Sequence, residues 1–305
     1  MVETLGKKIT DHPFAYSYHH IGGEGTKITE GAVISIGYIC NNSCKFCSIP
    51  KNCRNLYPQT ERLKEEIKFL RNVFNSIVFT GGEVTIRKDF FDLIDFTKKI
   101  GFKITIQSNG RMFSYCEFCN KIVNYGVEVF GVDLHGHNDK THDFLTSVNG
   151  SFKQVVSGIM NLKRLGQFVL SNTVITSFNY KFIPKIANLL IGLGVDQIQF
   201  GYVCIFGQTS DNKNWIVPRI TEMLPYLRKG LDLCIKYKKD LIITLLPYCF
   251  MKGYERFVIM EEKKYLSKSR LKEVRCNVCK YYKICCGPQS DYLKLFGSKE
   301  FKPVF

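Results

Sequence analysis

From residue 33 to about residue 240 the chain repeats one phrase: a short apolar or β-rich run, then a stretch whose apolar residues recur at helical spacing. Alternation of this kind builds consecutive strand-helix units, and such units lay their strands side by side in a parallel sheet. Residues 33–37, 76–80, 103–107, 129–134, 168–175 and 197–203 are the six expected strands. Between them Leu63, Ile67, Leu70 and Phe74, then Val155, Ile159 and Leu162, then Ile183, Ile186, Ala187 and Leu190 give each helix one apolar face to pack on the sheet. Gly101, Gly126, Gly166 and Gly194 stand where helices should stop and the next strand begin. Six units fall short of the eight that close a barrel. The expected fold class is therefore α/β, a partial (β/α)6 TIM barrel, open and curved, with its chemistry at the carboxyl ends of the strands.

The rhythm divides the chain into an amino-terminal extension (1–30), a core (31–240) and a small cysteine-rich carboxyl-terminal domain (241–305). The last begins with one further apolar run, 241–246, continues through a charged stretch and ends in a tight cysteine cluster. It is too short for a large core of its own and should be stapled by metal. The 24 Phe, 16 Tyr and only 9 Pro exclude disorder and collagen-like repeats. No apolar run approaches the roughly 18 to 20 residues of a membrane span, and the amino terminus does not read as a secretory signal. The expected compartment is the cytoplasm, with no membrane association. There, 13 cysteines argue for metal or cluster ligation over a disulfide framework. The formal net charge of +16 comes from basic residues scattered along the whole chain; it suits solubility and leaves RNA possible as a partner.

Cys40, Cys44 and Cys47 form a C-x3-C-x2-C group directly after the first expected strand, placing three soft thiolates on one loop at the catalytic end of the barrel. Three ligands leave one position open; a zinc loop completed by Cys53 is the bland alternative. With Phe46 between the second and third cysteines, the group resembles the loop of the radical S-adenosylmethionine (radical SAM) superfamily. The resemblance implies a [4Fe-4S] cluster whose fourth iron binds the amino and carboxylate groups of SAM, with Phe46 near the adenine and a 5′-deoxyadenosyl radical as the product of reductive cleavage. A cellular one-electron reductant is then a required partner. Gly81, Gly82 and Glu83, after the second strand, resemble the family's GGE motif for the SAM amino group. By strand order Ser108 and Asn109 match the T-N-G of relatives, Asp133 occupies the place of a SAM-contacting Ser, and Asn172 is a similar position on the fifth strand.

Cys276, Cys279 and Cys285 give C-x2-C-x5-C, followed at once by Cys286, and Cys249 lies upstream. The spacing resembles the SPASM or twitch auxiliary-cluster domain. A full SPASM domain uses about seven cysteines for two clusters; five here imply one auxiliary [4Fe-4S] cluster on Cys249, Cys276, Cys279 and Cys285, with Cys286 as the alternate ligand. Zinc on the same four remains the alternative from spacing. Cys53, Cys116, Cys119, Cys204 and Cys234 read as ordinary residues. His135, in a histidine group with His137 and His142 just after the fourth strand, is the candidate proton donor or acceptor.

Relatives by architecture include the molybdenum-cofactor cyclase and peptide-modifying maturases such as anaerobic sulfatase-maturing enzymes. The cyclase's basic residue in the fifth strand is replaced by Leu170, its arginine after the auxiliary C-x2-C by Lys280, and its terminal glycine pair by Val304-Phe305. The expected substrate is a peptide or protein side chain, oxidised or cross-linked in a maturase-like reaction. RNA modification is the alternative enzyme function, and a zinc-stapled nucleic-acid-binding protein the alternative of another class.

Overall fold

The computed structural model describes residues 15–17, 31–259 and 270–305. Among the described residues nine strands form one sheet in chain order. Strand β1 (Ala15–Ser17) runs antiparallel to β2 (Gly31–Ser35). From β2 onward every pairing is parallel, through β3 (Ser76–Thr80), β4 (Lys103–Ser108), β5 (Val129–Asp133), β6 (Phe168–Ile175), β7 (Gln197–Tyr202), β8 (Asp240–Thr244) and β9 (Val258–Ile259). Eight parallel strands thus curl into an open partial barrel. All six expected strands are present, and the sheet continues by two.

The expected boundary at residue 240 does not coincide with a break in the sheet. The run assigned to the cysteine-rich tail supplies β8, whose Leu241 and Ile243 pair with Ile198 and Phe200 of β7. Its alternation is that of the preceding strands: Leu241 and Ile243 join the core outside the barrel, while Ile242 and Thr244 share the face of Gln199 and Gly201. The tail is also stitched to the barrel farther on. Gln289 accepts from Ile205 N at 2.8 Å and donates to the Val203 carbonyl at 2.9 Å, while Tyr292 and Phe301 are buried in the same core.

Two-residue periodicity separates the two faces of the sheet. One set, including Ile104, Ile106, Phe130, Val132, Val169, Ile198 and Phe200, is fully buried in the core with the helices. The expected helical faces form the other half of that core: Leu63, Ile67 and Leu70 on the helix Thr60–Arg71, Val155, Ile159 and Leu162 on Ser151–Arg164, and Ile186, Ala187 and Leu190 on Ile183–Gly192. The four glycines expected to end helices all have positive φ. The alternate set faces the barrel interior and mixes apolar residues such as Val129, Leu170 and Ile242 with polar ones, Gln107, Asp133, Asn172, Gln199 and Thr244, Gly131 and Gly201 making room for the Gln107 and Thr244 side chains. Among the described residues, no helix is long and apolar enough to cross a membrane.

Candidate active site

The segment that carries Cys40, Cys44 and Cys47 leaves the carboxyl end of β2 without regular secondary structure, so its shape depends on what holds it. Gly82 N donates to the Gly37 carbonyl at 2.8 Å and Glu83 N to the Ile39 carbonyl at 2.9 Å. This contact needs both glycines. A Cβ on Gly81 would stand 2.0 Å from the Gly37 oxygen, and one on Gly82 2.3 Å from the Ile39 oxygen; Gly81 also has φ +140°. On its other side the loop is tied to the helix Asp139–Thr146, with Ser43 N donating to Thr146 O and Lys45 N to Leu145 O, both at 3.0 Å. Asn212 Nδ2 and Thr209 Oγ1, from the helix Gln208–Ile216, donate to the carbonyls of Lys45 (2.8 Å) and Phe46 (2.7 Å).

Two arginines complete the frame, and neither stands out in the sequence. Arg111 donates through Nη1 to the Asn41 carbonyl (2.6 Å) and Asn42 Oδ1 (3.0 Å), and through Nε to Gln154 Oε1 (2.6 Å). Arg87, buried, donates to the carbonyls of Ile36 (2.6 Å) and Pro58 (3.0 Å) and pairs with Asp89. Their partners lie 70 and 51 residues away for the loop contacts, which is why no local pattern announces them.

The three thiols occupy one neighbourhood. Burial first, with Glu83 and Cys47 adding, pushes the Cys40 thiol up to about 11, and Asn42 N donates to its sulfur at 3.4 Å. Burial, then Cys40, Cys47 and Asp133, holds Cys44 well above the usual thiol range. Binding of a metal or cluster there therefore has to expel protons, and affinity must rise with pH. Phe46 is buried with its ring edge-on to His135, the centroids 4.6 Å apart.

Glu83 is turned into the protein. Its Oε1 accepts from Thr85 N (3.1 Å), Thr85 Oγ1 (2.5 Å) and Ser108 Oγ (2.7 Å), and its Oε2 from Asn109 N (2.7 Å). The carboxylate thus locks the ends of β3 and β4 together. Asn109 passes the connection on to the cysteine loop, its Nδ2 donating to Asn41 Oδ1 at 2.7 Å. Asp133 Oδ1 accepts from Gln107 Nε2 and Asn172 Nδ2, both at 2.9 Å, forming one polar row across β4, β5 and β6. Burial, reinforced by Glu83 against those two donors, raises Asp133 to about 7. Gln199 extends the row from β7, opposite Asn172, and was missed because an isolated Gln in an expected strand carries no motif.

His135 is only 2% exposed, and its Nδ1 accepts from Val174 N at 3.3 Å. Burial, with His142 adding, holds its pKa well below the ordinary histidine range, so the ring is neutral at physiological pH. His142 lies buried in the helix Asp139–Thr146, and its Nδ1 accepts from His135 N. The pair backs Phe46 and does not line the open interior with the polar row.

The second cysteine group also converges. Cys249, Cys276, Cys279 and Cys285 line one cavity with Tyr248, Lys272, Tyr282, Gly287 and Phe301. Cys286 is outside that lining, and its thiol points toward the Gly287 carbonyl at 3.5 Å. Gly287 N donates to Cys285 Sγ and Val304 N to Cys279 Sγ, both at 3.4 Å. Burial first, then Cys285, Cys276 and Cys279, pushes Cys249 up to about 12. Val274, Val278 and Ile284 on the same loop are exposed, so apolar burial does little to hold it. Cys119 and Cys234 are buried in the core and Cys116 is exposed on a helix.

The sequence profile of the Radical SAM superfamily matches residues 34–190, just over half of the chain and the part that holds the first cysteine group with Gln107, Asp133 and Asn172. The chain belongs to this superfamily. It is 30% identical over 159 residues to an AdoMet-dependent heme synthase of Oleidesulfovibrio alaskensis, a match covering 51% of this chain and 40% of the relative. It is 28% identical over 172 residues to a probable GTP 3′,8-cyclase of Sulfurisphaera tokodaii, covering 54% and 53%. The matches thus span about half or less of these relatives' length. Among solved structures, SuiB of Streptococcus suis bound to S-adenosylmethionine superposes with TM-score 0.65 at 15% identity, over 86% of this chain and 73% of that one. SuiB bound to its precursor peptide SuiA gives 0.59 at 14% identity, over 77% and 49%. At such identities the structures establish the partial-barrel fold. Membership in the superfamily implies a SAM-binding [4Fe-4S] cluster, and three thiols on one pinned loop close to Asp133 of the polar row fit that group.

Two outcomes follow from the frame. Gly81→Ala is expected to push the cysteine loop off the Gly37 carbonyl and lower iron binding at the first group, as an iron assay on the purified variant will show. Asp143 ties Asp139–Thr146 to the next helix, accepting from Gly150 N (2.6 Å), Phe152 N (2.7 Å) and Ser151 Oγ (2.8 Å). Asp143→Ala should cost roughly 1.5 to 3 kcal/mol, read from the denaturation midpoint. Although burial opposes it, these bonds hold the Asp143 carboxyl below its usual range. Its contribution is therefore present above the unfolded carboxylate pKa and lost as pH falls through the lower folded one.

Proposed function

We propose that this protein is a radical SAM enzyme that acts on a peptide or protein side chain, in a maturase-like oxidation or cross-link, with an auxiliary [4Fe-4S] cluster on Cys249, Cys276, Cys279 and Cys285. The observation that carries this reading is the second thiol cavity: four cysteines share it, two of their sulfurs accept backbone N–H groups, and it lies in a tail docked on the carboxyl ends of β7 and β8. Among the described residues no three His, Cys, Asp or Glu side chains gather closely enough to hold one bare metal ion, and a four-iron cluster asks for a wider spacing than the tight tetrahedron of zinc. Peptide chemistry is supported by SuiB, described with a bound precursor peptide. The cyclase reaction is disfavoured by Leu170, buried in β6, and by Lys280.

Cys40, Cys44 and Cys47 would hold the cluster, which with bound SAM would supply the radical chemistry for hydrogen abstraction. The chain's own residues hold and enclose that chemistry. Arg111, Asn109 and the Gly81-Gly82 turn fix the cysteine loop; Phe46, backed by His135, closes one wall; Gln107, Asp133, Asn172 and Gln199 offer hydrogen bonds to cofactor or substrate. His135 is assigned to positioning Phe46, and Asp133, held by Gln107 and Asn172, to the polar row that meets cofactor or substrate. Radical chemistry needs water and stray side chains kept away, and the tail docked at the ends of β7 and β8 covers part of the barrel opening. The test is anaerobic incubation of the reduced protein and SAM with short peptides encoded beside its gene and, in parallel, total tRNA. A mass change in a peptide is expected; one confined to tRNA overturns the peptide reading in favour of RNA modification.

A further inference from the structure

Arg270 enters the fold beside Gln289, with which it forms an isolated antiparallel bridge, where the tail meets the ends of β7 and β8. It is 7% exposed. Its Nη1 donates to the Gly287 carbonyl at 2.9 Å and reaches the Leu245 carbonyl at 3.5 Å, anchoring one corner of the guanidinium between the end of β8 and the second cysteine loop. The other two nitrogens, Nε and Nη2, are buried and have no hydrogen-bond partner among the described residues.

A guanidinium cannot shed its charge, and a buried cation lacking a partner is strongly unfavourable. The orphaned pair is also no random pair. Nε and Nη2 form one edge of the planar group, with parallel N–H bonds that meet the two oxygens of a carboxylate side-on. Two backbone carbonyls supply only partial charge on the anchored corner, so the balance of the site is one positive charge to one negative. Lys272, the nearest cation in sequence among the described residues, is turned to the Tyr282 carbonyl and ring. A lone enclosed guanidinium matches a singly charged, planar anion better than a polyphosphate or a nucleic acid backbone, which call for several cations.

We propose that Arg270 is a substrate-binding residue, its Nε and Nη2 edge receiving a carboxylate of the substrate between the barrel mouth and the second cysteine group. The proposal rests on the peptide reading above for the source of that carboxylate, an acidic side chain or a chain terminus. It makes the tail a part of the substrate site as well as a holder of thiols.

The probe is acetate, the smallest carboxylate with a carbon tail and able to enter an enclosed site, with inorganic phosphate and chloride as controls at equal ionic strength. Melting temperature is measured on the anaerobically reconstituted full chain. Acetate should raise it saturably by a few degrees over chloride in the wild type and by nothing in Arg270→Gln. Arg270→Lys keeps the charge and a donor for Gly287 but loses the fork, so it should fold and lose most of the acetate effect; it replaces Arg270→Gln if that variant does not hold iron. Equal acetate effects in wild type and variant overturn the proposal. So does a larger response to phosphate than to acetate, or no wild-type response, including a response that emerges only in E261Q/E262Q, where a carboxylate of this chain has been filling the fork. Because the probe is not a peptide, a positive result beside a tRNA-only mass change would retire the peptide reading and leave the anion site standing.

Discussion

Replacing Cys40, Cys44 and Cys47 together with Ala is expected to reduce SAM cleavage to background, while the protein keeps about half of its iron. The reasoning is local. These three sulfurs share a neighbourhood on a loop tied down by Gly82, Glu83, Arg111, Asn212 and the end of Asp139–Thr146. That frame consists of backbone contacts and side chains other than the thiols, so the triple variant should remain folded and the loss should lie in chemistry. Liquid chromatography of 5′-deoxyadenosine after dithionite reduction, alongside circular dichroism, separates the two. Retention of cleavage at a few per cent of wild type or more would mean that the electron enters SAM somewhere else.

Cys276→Ala should have the second-largest effect and the opposite pattern: product formation lost, SAM cleavage without substrate retained near the wild-type rate. The second thiol cavity is built by residues 247–249, 272–288 and 301–303 and shares no lining residue with the first loop. Its loop exposes Val274, Val278 and Ile284, so removal of a ligand is expected to loosen the loop and leave the barrel intact. The mass of the peptide product and the amount of 5′-deoxyadenosine, measured in the same reaction, give the ratio that decides. Unchanged product formation would reduce the second group to a structural staple.

Much of the barrel was legible because its signals are local. Period-two strands, period-3.6 helices and glycines such as Gly101 and Gly166 at helix ends each depend on a few neighbouring residues. The cysteine loop was legible for the same reason, since its three thiols lie within eight residues. What escaped depends on distance in the chain. The run at 241–246 looks the same whether it opens a new domain or adds a strand; only pairing with β7 decides. Arg87, Arg111 and Arg270 act through carbonyls contributed by remote segments, and a scattered arginine in a chain of net charge +16 carries no mark. His135 stood out because it sits at a strand end in a histidine group, yet burial against Phe46 and His142 determines its state. Glu83 was read toward the cofactor from the motif; that its carboxylate also accepts from Ser108, Asn109 and Thr85 depends on strands brought together only by the fold.

The most direct test of two separate cysteine sites is iron and sulfide determined on the anaerobically reconstituted chain, in the wild type and in variants lacking each group. The account predicts about eight iron atoms per wild-type chain and about four in either variant, with an iron-sulfur absorption band in all three. Stoichiometric zinc with no iron, or a variant of one group that loses all iron, would contradict it.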